Sequence, residues 1–147
     1  MQTADNVARW FLSRNNLKFF AEDTEYISNL KLQKLLYYAQ GMHLAIYGKK
    51  LFDDPIVAWM HGPVVESVYQ TYKNNGARGI IDFEPPDENF TKEEEDTLQF
   101  TQNAFGQFSA WKLRDMTHNE LTWKETPRNA EIPVDKIKIY FERNYVE

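Results

Sequence analysis

The stretch Ser28 to Gly48, SNLKLQKLLYYAQGMHLAIYG, restricts the folds open to this chain more than any other. On a helix of 3.6 residues per turn, Leu32, Leu35, Leu36, Ala39, Met42, His43 and Ile46 fall on one face, and Leu30, Tyr37 and Leu44 form a second stripe behind it. A helix apolar on two sides is covered by other elements rather than lying on the surface, so this segment is expected at the centre of its domain. Gly41 and Ala45 lie between the stripes, where a neighbouring backbone can come close. Ser28 suits the N-cap and Gly48 the C′ position, and Lys49 and Lys50 stand at the negative end of the helix dipole. His43, in the middle of the first face, reads as a core histidine hydrogen-bonded to a buried neighbour rather than a ligand, because the chain has three histidines and no cysteine to assist it.

The remaining segments read as covers for that helix. Thr3 to Asn15 forms a first helix with Val7, Trp10, Phe11 and Arg14 close to one face; Asn15 and Asn16 end it, and Leu17 to Tyr26 follows as a loop or short turn. Ile56 to Met60 is a short strand or extended segment, too apolar on both sides to be a solvated edge. It leads into His61-Gly62-Pro63, where Pro63 opens a helix running to about Asn74. Pro85-Pro86 excludes a helix over Ala77 to Asn89, leaving a second short strand or an extended loop around Ile80, Ile81 and Phe83. Thr91 and Glu94 have capping-box spacing, and the helix they open turns Leu98, Thr101, Phe105 and Phe108 inward. Ser109 starts a short helix to Thr117, His118 to Arg128 is a loop, and a last helix from Ile132-Pro133 to about Arg143 aligns Ile137, Tyr140 and Phe141. The expected fold is mainly α: a compact single domain, residues 1–147, around a central buried helix, with two or three short strands at most.

Bulk composition narrows the function. At 147 residues with 42% hydrophobic and 15% aromatic content, the chain can bury a real core. A formal charge of −5 argues against general nucleic-acid binding and fits a basic or neutral protein partner better. The absence of cysteine removes disulfides, thiolate zinc sites and thiol catalysis. No signal-peptide pattern and no membrane-length apolar run occurs, so a cytoplasmic location with no membrane partner is the default.

No phosphate-cradling glycine loop and no Gly-x-Ser-x-Gly elbow is present, so no cofactor is called for. His61, His118 and Asp115 form the one combination open to metal or acid–base chemistry, and their spacing does not favour it. The reading is therefore no metal and no enzyme, with a small hydrolase as the distant alternative. Trp59, Trp111 and Trp123 read mostly as core, with a partner pocket left open at their rims. Tyr37, Tyr38, Tyr69 and Tyr72 are the tyrosines expected to make surface contacts.

Three stretches together resemble one known family. Lys31-Leu32-Gln33-Lys34-Leu35-Leu36-Tyr37-Tyr38-Ala39-Gln40-Gly41, then Trp59 with His61-Gly62-Pro63-Val64-Val65 before Tyr69, and then Leu113 to His118 with Trp123, are similar to the Panacea domain of phage-associated and SocA-like proteins. The likeness extends from about residue 5 to the C-terminal helix, leaving no helix-turn-helix and no second domain. The resemblance implies a prophage-associated antitoxin that neutralises a cognate toxin by direct protein binding. Some relatives instead act as adaptors that hand the toxin to a AAA+ protease. Among the motif positions, Leu35, Trp59, Gly62 and Pro63 look architectural. Lys34, Tyr38, His43, His61, Tyr69 and His118 carry polar groups and are the candidates for a partner-binding surface or for the network that supports it.

Overall fold

Ser28 caps the central helix as its sequence predicts: the side chain accepts a hydrogen bond from the Lys31 backbone N–H, and Gly48 ends the helix at a φ of 73°, in the left-handed region. In the computed structural model, which describes residues 1–21 and 26–146, this helix is α2, Asn29–Tyr47, and it follows α1, Ala4–Ala21. Then come a two-stranded hairpin of β1 (Val57–Trp59) and β2 (Gly62–Val64), and α3 (Glu66–Tyr72), extended by a 3₁₀ turn over Lys73–Asn75. The chain continues through α4 (Lys92–Phe105), α5 (Ala110–His118), the single turn α6 (Leu121–Lys124) and α7 (Val134–Phe141), closing on a wide turn over Glu142–Val146. The fold is mainly α, with one two-stranded sheet among the described residues, as expected.

Helix α2 packs against α1, α3, α4, α5, α7 and β2, and every residue from Leu32 to Leu44 is buried. Gly41 is a point of close approach, because a Cβ there would stand 2.4 Å from the Phe141 ring of α7. The apolar stripe ends earlier than its periodicity suggests, since Ile46 is 45% exposed. The sequence also understates how many polar side chains α2 buries. Gln40 accepts from the Leu51 and Phe52 N–H groups and donates to the Phe52 carbonyl, while Gln33 accepts from Val65 N–H at 2.9 Å. These amides supply partners to backbone groups of the flanking segments, and that pairing is what makes their burial tolerable.

Several boundaries differ from the sequence reading. Helix α1 runs through Asn15 and Asn16 to Ala21: asparagine costs a helix only about 0.7 kcal/mol per residue, and the burial of Trp10, Phe11 and Leu12 outweighs that. The loop expected from Leu17 is thus helix as far as Ala21, and its stretch 22–25 lies outside the described residues. Pro63 does not open a helix; it lies in β2, and α3 begins at Glu66. The segment around Ile80 is an extended loop, tied to the core where Ile80 N–H donates to the Ile27 carbonyl, and Ile81 turns outward. Within the expected loop from His118 to Arg128, residues Leu121–Lys124 form the turn α6. Thr91 and Glu94 form the reciprocal capping box that their spacing predicts.

Candidate functional site

Strand β1 is held on both sides. It pairs with β2 in antiparallel register, Val57 opposite Val64, Ala58 opposite Pro63 and Trp59 opposite Gly62, which leaves Met60 and His61 at the tip. On its other edge Ala58 N–H donates to the Ala130 carbonyl, and Asn129 N–H donates to the Ala58 carbonyl. The position facing Pro63 therefore needs no ladder bond from β2, so a residue without an N–H fits there. The outward carbonyl of Pro63 accepts instead from Lys34 Nζ at 2.8 Å.

Lys34 is fully buried, and among the described residues no carboxylate pairs with it. Burial first, and the Arg114 guanidinium second, pull its pKa down from 10.5 to about 7. Gly62 sits over it at a φ of 111°, and a Cβ there would come within 2.8 Å of both Lys34 Cε and Thr117 Oγ1. Only glycine suits that position on both counts.

Helix α5 brings up the rest of the site. Trp111, Arg114 and His118 are spaced i, i+3 and i+7, so they share one face. Arg114 Nε donates to His61 Nδ1 at 3.2 Å, Nη1 reaches Asp115 at 3.4 Å, and the guanidinium lies 4.5 Å from the Trp111 ring centroid. His118 stacks on Trp123 at 4.1 Å and 13°. Its Nε2 is buried without a hydrogen-bond partner among the described residues, and desolvation followed by Arg114 lowers its pKa. The Arg128 guanidinium lies 3.8 Å from the Trp123 centroid, and Trp123 Nε1–H donates to the Trp59 carbonyl at 2.7 Å. Trp59 meets Tyr69 edge-on at 4.8 Å. A continuous aromatic and cationic surface thus surrounds the hairpin tip, with Met60 73% and Trp111 60% exposed.

Of the six residues singled out in the sequence, Lys34, His61, Tyr69 and His118 gather around the hairpin, the first from beneath and the others at half-buried or exposed positions. Tyr38 and His43 do not join them. His43 is a core residue, its Nδ1 2.8 Å from Thr97 Oγ1 on α4, as its place on the helix predicts. Tyr38 stacks on Phe105 at 4.1 Å and donates to Glu120.

Glu120 is the centre of a second, interior network, accepting hydroxyls from Tyr37, Tyr38 and Tyr145. Desolvation raises its pKa, while the three hydroxyls oppose the shift by stabilising the anion. This burial corrects the expected tyrosine surface: Tyr37, Tyr38 and Tyr72 belong to the core, because their rings pack inside and the first two hydroxyls find a carboxylate there. Trp111 moves the opposite way, from expected core to surface.

Sequence reasoning missed Met60, Arg114 and Glu120. For Arg114 a signal existed in its spacing from Trp111 and His118; for Glu120, whose partners lie 25 to 83 positions away, none did. Arg114 donates to both His61 and Asp115, so the constellation considered for metal or acid–base chemistry is built around a guanidinium. Among the described residues no group of three or more His, Cys, Asp or Glu side chains is placed to hold a metal ion, and no helix is long and apolar enough to cross a membrane.

Residues 32–124 match the family described as Antitoxin SocA-like, Panacea domain, a span that contains all but the first turn of α2, the hairpin, α5 and Trp123. A relative from Caulobacter vibrioides (strain NA1000 / CB15N), named Antitoxin SocA, is 47% identical over 55 residues, covering 37% of this chain and 29% of the relative. The matched segment thus spans less than a third of that protein's length. No solved structure matches the chain.

Proposed function

The chain belongs to the SocA-like antitoxin family with a Panacea domain, and on that premise we propose that it is the antitoxin of a toxin–antitoxin pair and neutralises its toxin by binding it directly. In this reading residues 1–147 act as one Panacea-like unit, cytoplasmic and prophage-associated, with no enzymatic step of its own. The observation that carries the reading is the convergence of the family-like motifs on the hairpin, with Lys34 buried beneath it and His61, His118 and Trp123 around its tip. That surface has the make-up of an interface hot spot, with the Arg114 guanidinium against the exposed Trp111 ring and Met60 exposed at the hairpin tip. His61, Tyr69 and His118 line it, and Lys34 supports it from below. Tyr38 and His43 act further off, by holding α2 against its neighbours.

Co-expression with the product of the adjacent reading frame tests the proposal. The neighbour induced alone is expected to arrest growth, and the pair to grow and to co-purify as a stable complex. A harmless neighbour, or rescue without a complex, overturns direct neutralisation. Toxin levels in cells lacking AAA+ proteases separate sequestration from the adaptor route: stabilisation of the toxin there would favour delivery to a protease.

A further inference from the structure

An open cleft of about 730 Å³ lies between α1, the end of α3 with its 3₁₀ turn, and the extended segment through Phe83; no residue of the hairpin or of α5 lines it. Hydrogen bonds fix both ends of that segment. Ile80 N–H donates to the Ile27 carbonyl and Asn75 Nδ2 to the Gly79 carbonyl, while the Asn6 side chain bonds both the N–H and the carbonyl of Asp87. The cleft holds three carboxylates, Asp5, Asp82 and Glu84, against one guanidinium, Arg9. Arg9 is already engaged: Nε and Nη2 bond Asp5 Oδ2 at 2.9 and 2.7 Å, and Nη1 donates to the Pro85 carbonyl at 3.1 Å. Asp82 and Glu84 are exposed and make no side-chain hydrogen bond or ion pair among the described residues. Lys73 and Arg78, the cations nearest in sequence, do not line the cleft and form no ion pair among those residues. An excess of negative charge is therefore left without a counterion inside a fixed frame.

Tyr72 adds an independent feature. It lines the same cleft at only 8% exposure, yet its hydroxyl makes no hydrogen bond among the described residues. Burial first, and the Asp5 carboxylate second, raise its pKa, so the phenol stays neutral and keeps its acceptor lone pairs. A hydroxyl held this deep without a protein partner is costly in a core and useful in a binding site.

We infer that this cleft docks a basic segment of the partner protein, with an arginine side chain seated among Asp82, Glu84 and Tyr72. This deepens the direct-binding reading, rests on it, and adds a contact to the hairpin surface. Among the described residues no three carboxylates are placed to share a metal ion, whereas a guanidinium spreads its N–H donors in a planar fork and can bridge separated acceptors. The acceptors open to it are the Asp82 and Glu84 carboxylates, Asp5 Oδ1, which takes no hydrogen bond among the described residues, and the Tyr72 hydroxyl oxygen. The formal charge of −5 draws a basic partner at long range, and the cleft fixes where its arginine enters.

Two measurements test this. In the first, the isotope-labelled full chain is titrated with a short capped peptide alternating Arg and Ala, with its Glu–Ala counterpart, and with spermine, while the backbone amides of Asp82 and Glu84 are followed. The arginine peptide is expected to shift both amides, and Tyr72→Phe, which keeps the ring, is expected to lower its affinity about threefold. No shift, equal shifts with the acidic peptide or with spermine, or an unchanged affinity in Tyr72→Phe would overturn the inference. So would self-association of the chain through this cleft.

In the second, Asp82→Lys and Glu84→Lys are each expected to weaken the toxin complex by about tenfold, and the binding that remains is expected to depend less steeply on salt. Both side chains are exposed and unpaired among the described residues, so these variants separate binding from folding. Glu95→Lys, exposed and unpaired on α4, changes net charge equally and is expected to bind as the unaltered chain does. Equal weakening by Glu95→Lys, or none by the other two, overturns the inference while leaving the antitoxin reading intact. Failure of the unaltered chain to bind any toxin overturns direct binding instead, and the peptide titration still decides the chemistry of the cleft.

Discussion

Lys34 Nζ and the Pro63 carbonyl oxygen stand 2.8 Å apart in the interior, joining the central helix to the hairpin through an amine that has no carboxylate partner among the described residues. The bond satisfies a carbonyl that the sheet cannot, and it places a titratable group where water does not reach.

Stability should consequently depend on pH through Lys34. The amine titrates near 7 in the folded chain and near 10.5 when exposed. Between those values the unfolded chain binds more protons, so stability rises with pH, by at most about 1.4 kcal/mol per unit. Below the folded value both states are charged and the cost of burial is complete. Urea unfolding of the unaltered chain and Lys34→Met from neutral to moderately alkaline pH is expected to show that rise only in the former. Parallel curves would show that Lys34 does not titrate in this window.

Glu120 responds with the opposite sign. Its raised pKa means that its contribution is fully present below the exposed value and fades as pH rises through the folded one. Glu120→Gln keeps an acceptor for the tyrosine hydroxyls and should flatten that dependence at a loss of about 1–2 kcal/mol. Glu120→Ala leaves the Tyr37, Tyr38 and Tyr145 hydroxyls without their shared acceptor. Chemical denaturation is expected to show a loss of about 3–5 kcal/mol for that variant.

Gly41→Ala places a methyl group on the Phe141 ring, 2.4 Å from its nearest atom. The ring must move, and α7 with it, for an expected loss of about 1–3 kcal/mol. Limited proteolysis should then cut the C-terminal segment first. Unchanged melting and cleavage would show that α7 adapts freely.

Trp111→Ser removes an exposed ring that lies against Arg114. Melting should shift little, within about 0.5 kcal/mol, whereas toxin rescue and co-purification should fall sharply. A variant that melts early and still rescues growth would assign Trp111 to stability rather than to contact.

The central helix was legible in the sequence because its signals are local: Ser28 and Gly48 at the ends, and apolar residues at helical spacing between them. The capping box of α4 was visible for the same reason. The hairpin was harder. Pro63 suits the first turn of a helix when read alone, and only the outward bonding of Ala58 to the 129–130 segment explains its place in a strand. Tyr37 and Tyr38 looked like contact residues because their type is common in interfaces, but their burial depends on Glu120, more than eighty positions away. Lys34 and His118 were picked out by resemblance to a motif, whereas Arg114, which links their surroundings to His61, required the three-dimensional arrangement.

Gln33, Lys34 and Gln40 take hold of their neighbours at main-chain atoms: the Val65 N–H, the Pro63 carbonyl, and the Leu51 and Phe52 amides. Every amino acid but proline offers the same amide, and all offer the same carbonyl. The scaffold is therefore indifferent to what the outward-facing positions Met60, His61, Trp111 and Lys112 display. Recognition and architecture are written in different atoms, so a chain built this way can exchange its surface vocabulary, and with it the partner it answers to, while the frame that presents it stays the same.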